Sequence, residues 1–452
     1  MTTGVMAGQD RRPRTRLRLL ASCAVVATMA GALAACSSGS GSSSGSSASG
    51  SQAGSSFTLS MHIANIKQDD PATYGIVKAF EAKYPDIKVS VVGQPVDQHE
   101  QQMTIAAQTH TLPDMFWVYN SLAQTMVKNG DLLDLTPILN QNGLVSKFPP
   151  NMLAGYKSGS TQYGVPYQAL VTGFYYNKKI LSQYNLQLPK TFNDLLNVAK
   201  VLRSHGVTTI AQGANQSSFS VWAFLTMLDR FGWEQKQSGL LSGSVSYDNT
   251  DFQRLYGHIQ DLAKAGAFPT NMATQTYQQA VDSFTNGKAA FLDSGAWSAG
   301  AIQKSTVGND VGFWAGPTFS DGVGPQQLVM NAPSAPFVVS SAVSKDSKKL
   351  DAVTKFIQFY YSDAGQQILV DNAQTPVTNY QPTGAAASQP VFASIVATLH
   401  AQGWTSPTNQ PDLVVSAAAS NNMYESLYGV MENVLTTSKA LSMVAPSIKQ
   451  SS

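Results

Sequence analysis

Hydrophobic and polar positions from residue 57 onward change period repeatedly, which predicts alternating strands and helices. Residues 57 to 63 alternate between apolar and polar side chains, as a half-buried strand does. Residues 74 to 84 then carry apolar side chains at helical spacing, and Pro85 ends that helix. Residues 87 to 91 alternate again. The pattern therefore predicts a strand, a helix and a second strand.

Two later segments carry apolar stripes typical of helices that pack on a core. Thr191 and Asp194 match a capping box, and apolar residues follow them at helical spacing, as they do from residue 350 to 361. Strand-helix repeats in both halves of the chain favour an α/β protein. The body from residue 57 to 452 is too long for one ordinary domain and favours two lobes.

The N-terminal residues match a bacterial export signal. Five arginines lie between residues 11 and 18, an uncharged stretch runs from 19 to 35, and Leu33-Ala34-Ala35-Cys36 closes the segment. These four residues resemble a lipobox, the signal at which bacterial lipoproteins are cut. The resemblance implies that residues 1–35 are a lipoprotein signal peptide and that Cys36 becomes the lipidated first residue.

Two alternatives to this interpretation stay open. The stretch from 19 to 35 could instead be a transmembrane anchor, although its length is at the short limit for a membrane span. The arginine pair at 11 and 12 could direct a twin-arginine export route. The cysteine content favours the lipoprotein. Of the two cysteines, Cys23 lies in the segment that is removed, so the mature chain would keep one cysteine, the lipidation site. Residues 36–56, that cysteine and a Ser/Gly-rich run, predict a flexible tether.

Charge argues against a nucleic-acid partner. Removing the five arginines and the one aspartate of the signal from 29 basic and 27 acidic residues leaves a net charge of −2. A nucleic-acid groove needs clustered lysine and arginine, whereas this chain is rich in Gln, Asn, Ser and Thr. Such a surface suits neutral, hydroxyl-rich partners.

Catalytic motifs are incomplete. His99-Glu100 begins like a zinc-protease motif but lacks the second histidine, and Gly287-Lys288 lacks the remaining residues of a phosphate loop. We therefore expect no metal, no cofactor and no enzymatic activity. A glycoside hydrolase needs only two suitably spaced carboxylates, which leave no sequence signature, so it stays as an alternative.

Four segments, in this order and spacing, resemble the family 1 extracellular solute-binding proteins of ABC importers, the group that includes maltose-binding protein. The third contains Gly295-Ala296-Trp297, a Gly-x-Trp that usually closes a strand in this family. The segments are residues 80–91 with 112–118 and 130–135; 163–167 with 174–178 and 188–192; 284–297; and 336–347, which leads into the helix at 350–361.

The resemblance implies an α/β, two-lobed periplasmic-binding-protein-like fold with a hinge and an interlobe ligand cleft. The implied crossings lie near residues 168–172, 329–334 and 374–376. At the second crossing, relatives commonly have a Gly-rich run where this chain has Asn331-Ala332-Pro333-Ser334. The expected lobes are 57–170 with 327–375 for the N-lobe, and 171–326 with 376–452 for the C-lobe.

A sugar ring has an apolar C–H face and a rim of hydroxyls, so its site needs flat aromatic side chains and dense hydrogen-bonding groups. The resemblance places Trp297 at the cleft and Trp222, with Phe219 as its near alternative, in a cleft-facing loop. Each could instead be a core aromatic. Relatives often add a late aromatic to the cleft, and Tyr424 is the candidate in this chain.

Tyr119 and Asn120 are candidates because they follow a strand at its carboxyl end, where open α/β sheets bind ligands. Alternation along that strand and its exit loop puts Trp117 and Tyr119 on one face. Asp114, beside a proline, fits a local structural role better than a ligand contact.

Further polar candidates lie in the first strand-helix loop and at the hinge. Gln68 and Asp69 belong to the loop, and the neighbouring Asp70 fits a helix cap. Tyr167 and Asn331 belong to the hinge, where a polar side chain could sense closure. A structural hydrogen bond is the alternative for both.

The leading hypothesis is a lipid-anchored binding protein that closes on a neutral carbohydrate and delivers it to two ABC permease subunits in the membrane. We expect a monomer on the outer face of the bacterial cell membrane, anchored there through Cys36. The alternatives are the same fold binding a polyol, a sugar acid or a peptide-like solute, and a secreted glycoside hydrolase.

Overall fold

Strands and helices alternate along the part of the chain described by the computed structural model, residues 57–64, 67, 70–215 and 221–449. The strands are β1 (Phe57–Ile63), β2 (Ile87–Gly93), β3 (Met115–Trp117), β4 (Lys157–Ser158), β5 (Thr161–Gln162), β6 (Gly164–Pro166), β7 (Ala169–Asn177), β8 (Thr208–Ala211), β9 (Ala289–Gly295), β10 (Val311–Trp314), β11 (Met330–Pro333) and β12 (Pro336–Val339). The helices are α1 (Pro71–Lys83), α2 (Val96–Gln108), α3 (Asn120–Asn129), α4 (Thr136–Asn140), α5 (Pro150–Ala154), α6 (Lys178–Gln183), α7 (Phe192–Ser204), α8 (Trp222–Arg230), α9 (Trp233–Ser242), α10 (Thr250–Lys264), α11 (Tyr277–Thr285), α12 (Ala299–Lys304), α13 (Ser347–Tyr360), α14 (Asp363–Asp371), α15 (Gly384–Ala387), α16 (Pro390–Leu399), α17 (Ala417–Met431) and α18 (Thr437–Lys449).

The local signals in the sequence are confirmed at their predicted places. Asp70 caps α1 by accepting a hydrogen bond from the Thr73 amide at 3.1 Å. Thr191 and Asp194 form the reciprocal capping box of α7. The stripes of α7 and α13 face the core, as their helical spacing predicts.

The first sheet has the order β2-β1-β3-β12-β6. Strands β1, β2 and β3 are parallel, whereas β12 is antiparallel to both β3 and β6. Two antiparallel steps make β6 run in the same direction as β3. The carboxyl ends of β1, β3 and β6 therefore lie at one edge of this sheet.

The second sheet has the order β10-β7-β9-β8, and β11 also pairs with β7. Strands β8 and β9 are parallel, and β7 is antiparallel to β9, with Thr172 opposite Gly295. The start of β7 and the carboxyl ends of β8 and β9 therefore share one edge. All seven residues of β9 are buried, which is expected for a central strand covered on both faces.

Two short segments carry the chain between the sheets. One is Tyr167-Gln168, between β6 and β7, and the other is Ser334-Ala335, between β11 and β12. The Ser334 amide donates to the Gln168 carbonyl at 3.0 Å, and the Gln168 amide donates to Ser334 Oγ at 3.0 Å. The two crossings are thus bonded to each other, side by side.

A third connection follows α14, and the residues after position 376 keep hydrogen bonds to the first lobe. Val377 donates its amide to Gln366 Oε1 at 2.9 Å, and Asn379 donates its amide to the Lys147 carbonyl at 2.7 Å. Contact with the second lobe is made at Val391, whose amide donates to Gln303 Oε1 at 2.9 Å. The lobe boundaries given above stay a prediction, and these bonds favour a third boundary later than residue 376.

Strand β3 is shorter than the segment over which alternation was predicted. It ends at Trp117, and Tyr119 is already the residue that precedes helix α3, but the backbone at Tyr119 is still extended. The Tyr119 ring lies 5.0 Å from that of Trp117, which agrees with the predicted shared face. Asp114 has the local structural role expected of it, because it accepts hydrogen bonds from the amide and hydroxyl of Ser60 and pairs with Lys349 at 2.6 Å.

Candidate functional site

The two sheets turn their carboxyl-end edges toward the crossings. The first sheet does so with the ends of β1, β3 and β6, since the chain leaves β6 directly into the first crossing. The second sheet does so with the ends of β8 and β9, because Gly295 lies opposite Thr172, three residues into β7. Loops after parallel strands carry ligand sites in α/β proteins. We call the region between these edges the junction.

Trp297 lies at the junction, where β9 ends. Its indole ring folds back over Gly295, so that a Cβ on that glycine would lie 2.2 Å from the ring. A residue with any side chain would displace the ring, which gives the Gly-x-Trp motif a steric cause. Trp297 itself is only half-buried. It can therefore offer an aromatic surface to a ligand.

Trp222 packs against Trp297 edge to face. The ring centroids are 4.7 Å apart at an angle of 69°, and Trp222 is 7% exposed. Asp293 on β9 accepts the Ala223 amide at 2.9 Å and so fixes the first turn of α8, which begins at Trp222. The structure brings the two predicted tryptophans together, and Trp222 is the more deeply buried of the two.

A cluster of hydroxyl groups adjoins the tryptophan pair. The Trp297 indole N–H donates to the Tyr277 hydroxyl at 3.0 Å. That hydroxyl lies 2.6 Å from Ser294 Oγ and 2.7 Å from Ser298 Oγ, and Ser294 donates to Ser298 at 2.9 Å. Tyr277 also packs edge to face on Trp222, with ring centroids 5.4 Å apart.

A second buried polar network starts at Thr172, beside Gly295. The Thr172 hydroxyl lies 3.2 Å from the Thr226 hydroxyl and donates to Gln410 Oε1 at 3.3 Å. Gln410 in turn donates to Asp412 Oδ1 at 2.8 Å, and Tyr424 donates to Asp412 Oδ2 at 2.5 Å. The network therefore connects the start of β7 with the predicted late aromatic.

The Asp412–Tyr424 pair reaches the first lobe. The segment Pro411–Val414 packs against both α3 and α8. Burial raises the pKa of the Tyr424 hydroxyl well above its usual value, with further contributions from the neighbouring Asp412 and Tyr119. Tyr119 and Tyr424, predicted separately, thus lie near each other on opposite sides of the junction.

Tyr119 and Asn120 are held by their neighbours in the first lobe. Tyr119 lies with its ring 5.0 Å from that of Trp117, and its amide donates to Glu100 Oε1 at 2.6 Å. Tyr163 donates its hydroxyl to Asn120 Oδ1 at 2.7 Å. Both candidates are half-buried. They keep partial access to the space next to α3.

The two hinge candidates differ in their surroundings. Tyr167 is buried, and its hydroxyl donates to Asp70 Oδ2 and lies 2.7 Å from the Thr73 hydroxyl. This hydrogen bonding matches the structural alternative named for Tyr167. Asn331 is half-buried in β11, where its backbone is opposite Val171.

Four of the residues predicted from the sequence lie outside the described part of the chain. They are Cys36, Gln68, Asp69 and Phe219. Their roles stay predictions. Tyr277, Asp293 and Asp412 are junction residues that sequence reasoning did not single out. The only signal at Tyr277 is the Thr276–Gln279 capping box, which places it at the start of a helix but says nothing about its hydroxyl.

A cavity of about 690 Å³ lies away from the junction, on the second lobe. Its lining includes Phe192, His258, Phe319 and Asp321. His258 pairs with Asp321 at 3.0 Å, and its ring lies 4.4 Å from that of Phe192. None of the junction side chains named above lines this cavity, so it is not part of the candidate site.

Two sheets with facing edges, joined by paired crossings, define the hinged two-lobed architecture of a binding protein. The chain belongs to the bacterial extracellular solute-binding protein family, whose model matches residues 64–367. This family consists of solute-binding proteins rather than enzymes and is extracytoplasmic. The family and fold expected from the sequence are confirmed.

The similar proteins are distant in sequence. An uncharacterised ABC transporter extracellular-binding protein of Pyrococcus horikoshii is 23% identical over 53% of this chain, and the match spans 56% of that relative, just over half its length. The multiple sugar-binding protein of Streptococcus mutans is 22% identical over 69% of this chain and 73% of its own. A solved chitin oligosaccharide binding protein is 21% identical with a TM-score of 0.77, covering 87% of this chain and 98% of its own.

Within residues 57–449, as far as the structure describes them, no helix combines the length and the apolar character needed to cross a bilayer.

Proposed function

We propose that this chain is a membrane-tethered extracytoplasmic solute-binding protein that captures a neutral carbohydrate at the junction and delivers it to an ABC importer. The observation that carries the proposal is the half-buried ring of Trp297 beside dense hydroxyl, amide and carboxyl groups. An aromatic face and a polar surround match the two sides of a pyranose. Similar proteins that are named as sugar-binding proteins point the same way.

Charge at the junction favours a neutral ligand. The junction side chains named above include no lysine or arginine. Burial raises the pKa of the carboxyl groups of Asp293 and Asp412, which favours their uncharged forms. An anionic solute would therefore find no cationic partner among these residues.

The mechanism follows from the paired crossings. A ligand that contacts Trp297 on one lobe and Tyr119 on the other binds the closed arrangement better than the open one, and so shifts the population toward closure. The closed lobes then present one combined surface to two permease subunits. Binding, not turnover, is the activity, and hydrolysis of a chromogenic glycoside by the protein would contradict this.

The test is a ligand panel. The full chain, purified in detergent, is titrated with neutral mono- and oligosaccharides, polyols, a sugar acid, glycerol 3-phosphate and short peptides, with tryptophan fluorescence and melting temperature as readouts. A saccharide present at about 100 times its Kd should stabilise the fold by about 2.7 kcal/mol. A response to the charged solutes alone would overturn the carbohydrate assignment.

Variants of two tryptophans make the test specific. Trp297→Ala should abolish binding and keep cooperative unfolding. Trp314→Phe is the matched control, because Trp314 is 8% exposed and packs between Phe174 and Phe291 in the core. The control should bind as the wild type does. If Trp297→Ala unfolds instead, Trp297 is a core residue.

The tether is part of the proposal. Lipidated Cys36 and the Ser/Gly-rich run to residue 56 would hold a monomeric receptor on the outer face of the membrane, within reach of its permease. Labelling with a palmitate analogue should mark the wild type and be lost in Cys36→Ala, which should appear in the medium. Cys23→Ala is the matched control and should stay labelled. Light scattering of the detergent-free Cys36→Ala protein checks the monomer.

A further inference from the structure

Tyr277 touches both tryptophans of the junction. Its hydroxyl accepts the Trp297 indole N–H at 3.0 Å, and its ring lies edge to face on Trp222 at 5.4 Å and 82°. No other residue described above makes a hydrogen bond with the Trp297 indole. Tyr277 is therefore placed to set the geometry of the pair.

The hydroxyl of Tyr277 is itself fixed. Ser294 and Ser298 lie within 2.7 Å of it and are buried, and they bond to each other at 2.9 Å. The backbone of Tyr277 is fixed as well, since it is the first residue of α11, after the Thr276 capping box. Trp297 thus bonds to an acceptor with little freedom to move.

An indole has one N–H donor, which lies in the plane of the ring. A bond from that donor to a fixed acceptor restricts both side-chain torsions of Trp297. Steric contact with Gly295 below and the edge of Trp222 beside the ring restricts them further. The ring is held in one orientation before any ligand arrives, and a preorganised side chain loses less conformational entropy on binding.

From these contacts we infer that Tyr277 is a positioning residue, which raises ligand affinity by holding the Trp297 ring in its binding orientation without touching the ligand itself. The inference rests on the proposed function, because it takes Trp297 as a ligand-binding residue. It adds Tyr277 to the site and gives this residue a role, the orientation of the Trp297 ring, that the Trp222–Trp297 pair alone does not supply.

The variant that isolates this role is Tyr277→Phe, which keeps the ring on Trp222 and removes only the hydroxyl. Tyr256→Phe is the matched control. Tyr256 is a buried tyrosine of the same lobe, whose hydroxyl lies 2.7 Å from Ser426 Oγ and 3.1 Å from the Tyr247 hydroxyl, within a separate part of the core. Both variants lose a buried hydroxyl, so both should lower the melting temperature.

Affinity for the saccharide that binds the wild type should separate the two variants. We expect Tyr277→Phe to bind about five- to tenfold more weakly, as the loss of one hydrogen bond allows, and Tyr256→Phe to bind like the wild type. The tryptophan bands of the near-ultraviolet circular dichroism spectrum should change in Tyr277→Phe and not in Tyr256→Phe, because these bands report the fixed tertiary packing of the indole rings. Unchanged affinity in Tyr277→Phe would overturn the inference.

A double-mutant cycle shows whether the effect runs through Trp297. Trp297→Phe lacks the indole N–H, so adding Tyr277→Phe to it should cost no further affinity. Additive losses would mean that Tyr277 acts on the ligand directly, which also overturns the inference. If the wild type binds no saccharide in the panel, the proposed function fails. Tryptophan bands of Tyr277→Phe identical to those of the wild type would then overturn the positioning role independently.

Discussion

The Trp297 ring occupies the space that a side chain on Gly295 would need. A Cβ at Gly295 would lie 2.2 Å from Cζ3 and 2.4 Å from Cη2 of Trp297, and 2.6 Å from the Val171 carbonyl oxygen. The indole could swing away, but the Val171 oxygen belongs to the backbone of the neighbouring strand β7. The glycine of the Gly-x-Trp motif is therefore required by steric contact on two sides.

Gly295→Ala should displace the Trp297 ring and weaken saccharide binding at least tenfold, while overpacking costs about 1–3 kcal/mol of stability. Isothermal titration and chemical denaturation measure the two effects. Gly257→Ala is the matched control, because a Cβ there meets nothing within 4 Å and the residue lies inside α10. It should leave affinity unchanged and keep or raise stability. Normal binding by Gly295→Ala would show that the ring position does not matter.

Tyr167 offers a test of a predicted hinge residue. Tyr167→Phe removes the hydroxyl that donates to Asp70, and the buried carboxyl group loses that partner. We expect the free energy of unfolding to fall by about 1–3 kcal/mol, since a buried polar group is left short of a hydrogen bond. Affinity for the saccharide should stay within about threefold of the wild type. A large loss of affinity at unchanged stability would instead make Tyr167 a ligand contact.

Residues whose role is local were predictable from the sequence. The cap at Asp70 and the capping box at Thr191 depend on neighbours only a few residues away, and their patterns are visible in the chain. The strand-closing Gly295 was implied by the family resemblance, and the Val171 contact that requires it lies on another strand. The Tyr277 hydroxyl is different. It meets Ser294 and Ser298 because α11 packs against β9, which no spacing in the sequence reveals.

The first lobe shows the same limit. Alternation predicted a shared face for Trp117 and Tyr119, whose rings lie 5.0 Å apart, but it did not predict that β3 ends at Trp117 or that Tyr119 precedes helix α3. No motif in the sequence marked Asp412 as a site residue, because its hydrogen bonds with Gln410 and Tyr424 depend on the burial of these side chains in the folded protein. Periodicity predicted the α/β class, and the family resemblance implied the two lobes and most of the aromatic candidates, whereas the polar groups that hold those aromatic side chains depend on tertiary packing.

Ser334 tests the connection between the crossings. Ser334→Ala removes the acceptor of the Gln168 amide and keeps the Ser334 amide bond to the Gln168 carbonyl. We expect the Gln168 amide to exchange its hydrogen about tenfold faster, and global stability to fall by about 1 kcal/mol. Ser344→Ala is the control, because Ser344 is exposed and its hydroxyl bonds only to the Ser341 carbonyl within one turn. Equal exchange at Gln168 in both variants would contradict a bonded hinge.

Glu100 and His99, adjacent on α2, should give opposite pH dependences of stability. Burial raises the pKa of the Glu100 carboxyl from 4.5 to about 7, although the Tyr119 amide bond opposes this. Burial lowers the pKa of His99 from 6.5 to about 4, although its hydrogen bond to the Trp117 carbonyl opposes this. Both groups therefore favour their neutral forms in the folded protein.

The signs follow from proton binding in the two states. Between pH 4.5 and 7 the unfolded chain has lost the Glu100 proton and the folded chain keeps it, so the stabilising contribution of Glu100, full below pH 4.5, is lost by pH 7. For His99 the unfolded chain gains a proton first, so stability is full above pH 6.5 and is lost as the pH falls toward 4. The two slopes oppose each other between pH 4.5 and 6.5.

Glu100→Gln should separate the two effects. Glutamine keeps an oxygen for the Tyr119 amide and does not titrate, so the variant should gain stability relative to the wild type as the pH rises from 4.5 to 7. The gain should approach about 3 kcal/mol, at about 1.4 kcal/mol for each unit of pKa shift. Urea denaturation at half-unit pH steps measures it, and the difference between the two proteins cancels the contributions of other groups. A difference that does not change with pH would show that Glu100 titrates alike in the folded and unfolded chains.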